Sequence, residues 1–319
     1  MLHDAFWLSA TDATPLFVNH WAPEQAPRAA VMLAHGMAEH SGRYARLGTA
    51  LAAAGISLYA IDQRGHGRSA EHGTLGHYAD ADGWNKVVGD LATLNHHIRQ
   101  QLPQAPIILF AHSMGTYIGQ AYLMQHSCSL QAAVLSGSNY QPPALYRAAE
   151  LVARFERWRL GPTGRSKLIN FLTFGSFNQA FKPNRSEFDW LSRDAAEVDK
   201  YINDPLCGFI CTTQLWIDLL GGLQQITPTD NLAQIDNELP VLVIGGERDP
   251  VSQGKRLRDL AEALRRAGLK DVELKVYPDG RHELLNESNR DEVTTYLIHW
   301  LEQALTRRRQ CPPTQQEPA

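Results

Sequence analysis

"IILFAHSMGTYIGQAYL", running from Ile107 to Leu123, decides how this chain folds. It opens as a short continuous apolar run, breaks at a serine set between small residues, and resumes with apolar residues at helical spacing. An apolar run of that length reads as a strand buried on both faces, as in a parallel sheet, and the residues after Ser113 read as a helix. Ala111 and Gly115 flank Ser113 two positions away on either side. Small residues there let strand and helix approach closely, while a strained turn projects the hydroxyl beyond the sheet edge. The pattern is the nucleophile elbow G-x-S-x-G with alanine in place of its first glycine.

Similar runs recur at Ala29 to Ala34, Ile56 to Ile61, Ala132 to Leu135 and Val241 to Ile244, with a more alternating one at Val272 to Tyr277. "AFWLSA" and "PLFVNHW" near the start alternate. Helical period appears between the runs, at Tyr44 to Ala54, Trp84 to Leu102 and Leu257 to Ala267. This βα alternation predicts an α/β fold with a mostly parallel central sheet and helices on both faces. It fails between about Pro142 and Glu238, a stretch with close to half of the aromatic residues and no buried-strand pattern. The predicted organisation is a core over residues 1–141 and 239–306, a helical cap inserted at 142–238, and a polar, proline-rich disordered tail at 307–319.

Composition narrows the function. Of 319 residues, 44% are apolar and 20% charged, which suits a globular protein, and a net charge of −4 without a dense basic stripe argues against a nucleic-acid partner. Cysteines fall at 128, 207, 211 and 311 behind a first segment, "MLHDAFWLSATD", too polar for a signal peptide. The expectation is a reducing, cytoplasmic setting. Cys207 and Cys211 have i, i+4 spacing but no histidine near them in sequence, so they read as free thiols, and no metal or cofactor is assigned. No apolar run reaches about 18 residues, so any membrane contact is peripheral.

A serine hydroxyl is a poor nucleophile at neutral pH. It needs a neutral imidazole to accept its proton and a carboxylate to orient that imidazole. On this topology the order is Ser, acid, His. "LPVLVIGGERDPVS" places Asp249 just past a strand, and "LKVYPDGRHELLNE" places His282 in the loop after the last one. Taken singly, Asp249 would cap the helix starting near Ser252, and His282 would be one of 13 histidines. Three such residues in order at successive strand ends form a triad; Glu247 and Asp279 are less well placed as acids. A tetrahedral intermediate also needs two donors aimed at its oxyanion. One is the backbone N–H of Met114, and the other that of Met37, brought round by the sharp turn that His35 and Gly36 allow.

"AHGMAEHSGRY", "DQRGHGRS", "AHSMG", "NDPLCGF" and "YPDGRHELLNE" together resemble the monoacylglycerol lipase and lysophospholipase family of serine α/β-hydrolases, over about residues 10 to 305. The resemblance implies the α/β-hydrolase fold, no cofactor, and catalytic Ser113, Asp249 and His282 with oxyanion donors on Met37 and Met114. It also implies that Glu39 and Arg43 contact the glycerol or glycerophosphate end of a substrate. Two residues depart from the family pattern: Ala111 and Thr116 stand where glycine is usual, which implies a tighter elbow. Asp62, Arg64, Gly65, His66 and Gly67 are expected to build a turn beneath the site.

In the cap, Ala144, Ala148, Leu151, Phe155 and Trp158 share one helical face and Arg147, Arg154, Arg157 and Arg159 occupy others. That pattern fits a solvated basic face or a lipid surface. Phe171, Phe174, Phe177 and Phe181 either line an acyl tunnel or pack the cap. The predicted activity is hydrolysis of single-chain lipid esters, monoacylglycerols or lysophospholipids, through an acyl-enzyme, rising as pH passes through about 6 to 7. The alternatives are a serine aminopeptidase, whose ammonium site would draw on Glu187, Asp189, Asp194, Glu197, Asp199 or Asp204, a short-chain esterase, and a non-catalytic binding protein on the same fold. Oligomeric state is not legible.

Overall fold

The computed structural model describes residues 1–307. The strands among them are β1 (Leu2–Ser9), β2 (Pro15–Ala22), β3 (Ala29–Ala34), β4 (Ile56–Ile61), β5 (Ile107–His112), β6 (Ala132–Ser136), β7 (Val241–Gly246) and β8 (Val272–Tyr277). They make one sheet in the order β1, β2, β4, β3, β5, β6, β7, β8. The two alternating segments at the start, β1 and β2, form an antiparallel edge, and β4, β3, β5, β6, β7 and β8 run parallel. The sheet is that of an α/β-hydrolase.

The helices are α1 (Ala45–Ala53), α2 (Gly83–Gln101), α3 (Met114–His126), α4 (Pro143–Leu160), the single turn α5 (Lys167–Asn170), α6 (Ala195–Asn203), α7 (Thr213–Ile226), the single turn α8 (Thr229–Leu232), α9 (Lys255–Arg266) and α10 (Arg290–Thr306). Because successive strand residues point to opposite faces, each continuous apolar run feeds two cores. Met32, Leu109 and Val243 pack with Leu91 of α2, Ile118 of α3 and Leu260 of α9. Val31, Phe110 and Leu242 pack on the other face with Leu51 of α1 and Leu297 and Trp300 of α10.

Between β6 and β7 the chain adds no strand to the sheet; its one isolated bridge joins Arg165 to Thr212. α7 buries Leu215, Leu219 and Leu223 in the same core as α2 and α3. It lies close to α2 because Gly222 has no side chain: a Cβ there would fall 2.2 Å from the indole of Trp84. Further on, Trp190, Leu191 and Tyr201 cluster with Val251 from the loop after β7. Two ion pairs tie the same region to the loop before α10 and to the start of that helix, Arg193 to Glu287 at 2.8 Å and Arg290 to Asp194 at 2.7 Å. The expected disordered tail lies outside the described residues except for Arg307, whose N–H donates to the Ala304 carbonyl and whose guanidinium pairs with Asp271.

Ser113, Asp249 and His282 follow β5, β7 and β8 respectively, at the carboxyl ends of three parallel strands, where loops and helix N-termini converge. Gly115 lets α3 abut the end of β3: an added Cβ would lie 2.2 Å from the Ala34 carbonyl oxygen and 2.6 Å from that of His35. Gly115→Ala is therefore expected to destabilise the fold by about 1–3 kcal/mol through overpacking against rigid backbone. Urea unfolding of the variant beside the wild type measures this.

Candidate active site

At Ser113 the backbone adopts φ 51° and ψ −121°, a conformation that L-residues rarely take. Neighbouring contacts hold it there. The Ser113 N–H donates to the Ser136 carbonyl at 2.8 Å, and the Thr116 N–H returns to the Ser113 carbonyl at 2.8 Å. Thr116, the departure noted in the sequence, is fully buried and its hydroxyl donates to the same carbonyl at 2.6 Å while lying 2.8 Å from Ser138 Oγ. The extra side chain is thus absorbed as a polar brace. Ala111 is likewise buried, and Gly119 on the facing helix makes room for its methyl.

Asp249 and His282 are both buried, and His282 Nδ1 lies 3.0 Å from Asp249 Oδ2. The approach is oblique and neither atom has another hydrogen-bond partner. The other carboxylate oxygen of Asp249 accepts the Val251 N–H at 2.8 Å. Backbone bonds bind the two loops together, Glu247 N–H to the Tyr277 carbonyl and Arg248 N–H to the Gly280 carbonyl, each at 2.9 Å. Gly246 permits that contact, since a Cβ there would sit 2.1 Å from the Gly280 carbonyl oxygen. Burial alone would push His282 down, but the charge and contact of Asp249, with Glu283 and Glu39 behind it, raise its pKa above the ordinary imidazole value. Its ring packs between Trp190, at 5.0 Å, and His112, at 4.9 Å. Burial and the neighbouring His282 hold His112 down at about 4, so it is neutral. Nothing in sequence spacing marks Trp190 as a neighbour of His282, because the two segments meet only in the fold.

The turn after β3 carries Met37, which shares a cavity wall with Ser113 and Met114. Glu39 and Arg43 do not reach that cavity. Glu39 is buried, its carboxylate accepting from the Gly36 N–H at 2.6 Å, the Tyr44 hydroxyl at 3.0 Å and Arg43 at 2.9 Å. Arg43 forks onto Glu283 at 2.5 and 2.7 Å and lies over the Tyr201 ring. Burial opposes the charge on Glu39, but Arg43, His112 and His35 hold its carboxyl down at about 2. The expected head-group contact is therefore corrected: these two residues join the turn after β3 to the loop bearing His282. Glu283, the third member, stands beside His282 in the segment already quoted for the family pattern.

The cavity over Ser113 measures about 790 Å³. Its floor carries Ser113 and Asp249, and its walls include Tyr117, Phe174, Phe177, Phe181, Trp216 and Leu220. Phe174, Phe177 and Phe181 thus face it, while Phe171 points outward, 61% exposed. Exposed Glu247 and Arg248 stand at its rim.

The fold brings together one group of metal-ligating side chains that sequence distance had concealed among the described residues: His40, Asp204 and Cys207, with ligand atoms within 4.8 Å of one another. The Gly42 N–H donates to His40 Nδ1, so the ring proton is on Nε2, which donates to Asp204 at 2.9 Å. Burial pushes the Cys207 thiol up. A protonated Nε2 and a neutral thiol make this a hydrogen-bonded latch. Cys207 and Cys211 are free. No helix among the described residues is long and apolar enough to cross a membrane.

A serine on a strained strand-to-helix elbow, with a buried acid and a buried histidine at successive strand ends, defines a serine hydrolase of the α/β-hydrolase class. The family model for serine aminopeptidase S33 matches residues 25–289. The chain is 31% identical over 293 residues to the monoacylglycerol lipase of Mycolicibacterium smegmatis, covering 88% of this chain and 92% of that one. It is 27% identical over 290 residues to the monoglyceride lipase of Homo sapiens, covering 90% and 86%. Among solved structures it is similar to a thermostable carboxyl esterase from Bacillus coagulans crystallised with glycerol, with a TM-score of 0.88 and 25% identity over 96% of this chain and 99% of that one. The chain belongs to the monoacylglycerol lipase family of serine α/β-hydrolases.

Removing the guanidinium that joins Glu39 to Glu283 leaves two buried carboxylates unpaired. Arg43→Met is expected to cost about 3–5 kcal/mol of stability at neutral pH, the usual penalty for breaking a buried pair. Thermal and urea unfolding, compared with Arg28→Met at an exposed pair, check it.

Proposed function

We propose that Ser113 is the nucleophile, His282 the general base and Asp249 its orienting carboxylate, with the N–H groups of Met37 and Met114 as oxyanion donors, and that the substrate is a monoacylglycerol. The observation that carries this reading is the large, mostly apolar cavity ending on the Ser113 elbow. His282 removes the hydroxyl proton as Ser113 Oγ bonds to the ester carbonyl carbon, and the negative charge moves to the carbonyl oxygen. Collapse breaks the bond to the glycerol oxygen, which takes the proton from His282 and leaves. Water then repeats the sequence on the acyl-enzyme and releases the fatty acid. The inserted segment, taken as residues 142–238, is the acyl-binding cap, each buried methylene adding about 0.8 kcal/mol.

Two observations favour an ester over a peptide. The six cap carboxylates suggested for an ammonium site are all absent from the cavity wall, and five of them are engaged elsewhere: Asp189 with Ser186, Asp194 with Arg290, Glu197 with Arg46, Asp199 with Arg185 and Asp204 with His40. The ionic residues at the rim are of both signs. With Glu39 and Arg43 engaged elsewhere, neither a glycerol nor a glycerophosphate head group draws support from those two residues.

Hydrolysis of glycerol, phosphocholine and alkyl esters across several chain lengths tests the substrate. Ser113→Ala is expected to abolish turnover, and an active variant would remove the mechanism. Because His282 must begin neutral and its pKa is raised, kcat/KM should fall as pH drops through a value above the ordinary imidazole range of about 6.5. Asp249→Asn takes away the raising charge, so the acid limb should move to lower pH as kcat falls about 10⁴-fold. A wild-type profile flat through that range would exclude His282 as the base.

A peripheral lipid contact is a second reading, favoured by the outward face of the cap. On α4, Leu151, Phe155 and Trp158 are 70%, 55% and 80% exposed, with Arg147 and Arg154 on the same helix. Leu145 and Leu172 are exposed too and also line the cavity, so the apolar surface runs to its mouth. Co-sedimentation with anionic vesicles should drop several-fold in Phe155→Ser/Trp158→Ser, with turnover of a soluble short-chain ester retained.

A further inference from the structure

His35 is fully buried, lies outside the triad and sits at the start of the turn carrying Met37. Its two ring nitrogens have opposite tasks. Nε2 accepts the backbone N–H of Gln63 at 3.0 Å, and Nδ1 lies 2.7 Å from the carbonyl oxygen of Gly36. An N–H can only donate and a carbonyl can only accept, so the ring is neutral with its single proton on Nδ1. Gln63 secures the residue from both sides, its side-chain amide donating to the His35 carbonyl. Gln63 belongs to "DQRGHG", and the turn there is held by Asp62, whose carboxylate accepts the N–H groups of Ser41 and Arg68 at 2.7 and 2.8 Å.

The Gly36 carbonyl and the Met37 N–H belong to one planar trans peptide unit, in which the C=O and N–H point in opposite directions. Holding the carbonyl on His35 therefore directs the Met37 N–H away from that ring. Gly36 itself lies against Ser113, where an added Cβ would be 3.2 Å from the serine Cβ. Without the imidazole, the glycine on one side of this peptide offers little resistance to a flip, and a flip would turn a carbonyl oxygen toward the developing oxyanion. The Gly36 N–H is held separately by Glu39, and the Ala38 carbonyl by Tyr201 Oη and the Gly208 N–H, both at 2.9 Å. Those contacts leave the Gly36–Met37 unit to His35.

We propose that His35 is a positioning residue for the reaction: as the Nδ1–H tautomer fixed by Gln63, it locks the Gly36–Met37 peptide with its N–H presented to the oxyanion. This rests on the reading of Ser113 as nucleophile and of Met37 as an oxyanion donor. The test uses the whole chain with His35→Gln and His35→Asn. Asparagine can place an N–H near the Nδ1 position and glutamine cannot. His35→Gln is expected to lower kcat about 100-fold with KM nearly unchanged, the usual loss for one oxyanion donor. It should weaken a long-chain alkyl boronic acid, which forms a tetrahedral adduct with serine, by a similar factor while leaving fatty-acid affinity unaltered. His35→Asn should recover most of both losses. Wild-type activity in His35→Gln, or an equal loss of kcat in both variants without any change in boronate affinity, overturns the proposal.

Since a buried substitution can prevent folding, the wild type supplies an independent measurement. Long-range ¹H–¹⁵N correlation on histidine-labelled protein should find the His35 proton on Nδ1 throughout the neutral range. A proton on Nε2 overturns the proposal whatever the variants do. Ser113→Ala separates the two levels. Activity in that variant refutes the underlying mechanism, whereas an inactive Ser113→Ala beside a fully active His35→Gln refutes the role of His35 alone.

Discussion

The backbone at Ser113 is the constraint on which the site depends. A non-glycine residue at φ 51°, ψ −121° costs about 1–3 kcal/mol and persists only where surroundings over-determine it. Here they do so from three directions: β6 supplies the Ser136 carbonyl, α3 returns Thr116 to the serine carbonyl, and Gly115 lets the helix start against the end of β3. The strain has a geometric result. The chain reverses within one residue, so the serine side chain enters the cavity while the first N–H of α3, that of Met114, stays beside it.

A second constraint acts between loops. Arg43 is the common partner of Glu39, which holds the turn carrying Met37, and Glu283, which follows His282. A guanidinium suits this task because its planar fork engages two carboxylates at once and stays charged when buried. The arrangement joins two loops 240 residues apart in sequence. It also adds negative charge behind His282, in the direction that favours its protonated form.

Much of this was legible before any fold was known. Continuous apolar runs marked β3 to β7 because burial on both faces leaves no polar alternation, and the elbow and the order Ser, acid, His follow from where those runs end. Less legible were contacts made by the insertion. Phe171 and Phe174 lie three residues apart, yet one is exposed and the other faces the cavity, on a single turn of π-helix at Phe171–Gly175 that no residue pattern marked. Glu39 and Arg43 were expected at the substrate's polar end from the family resemblance, and the fold pairs their charges with each other and with Glu283. His40 and Cys207 belong to segments with no common spacing and meet only through packing.

What the amino-acid order alone determined was the architecture of the sheet and the placement of Ser113, Asp249 and His282 at three of its strand ends. Hydrophobic periodicity and small residues at a turn act over a few positions, and the parallel topology admits only one arrangement of strand ends. The tertiary structure decided which charged groups are spent on holding loops, which cap aromatics border the cavity, and which tautomer His35 adopts. Those outcomes depend on distances between segments remote along the chain, and the balance between desolvation and a partner's charge can be read only when both partners are in place.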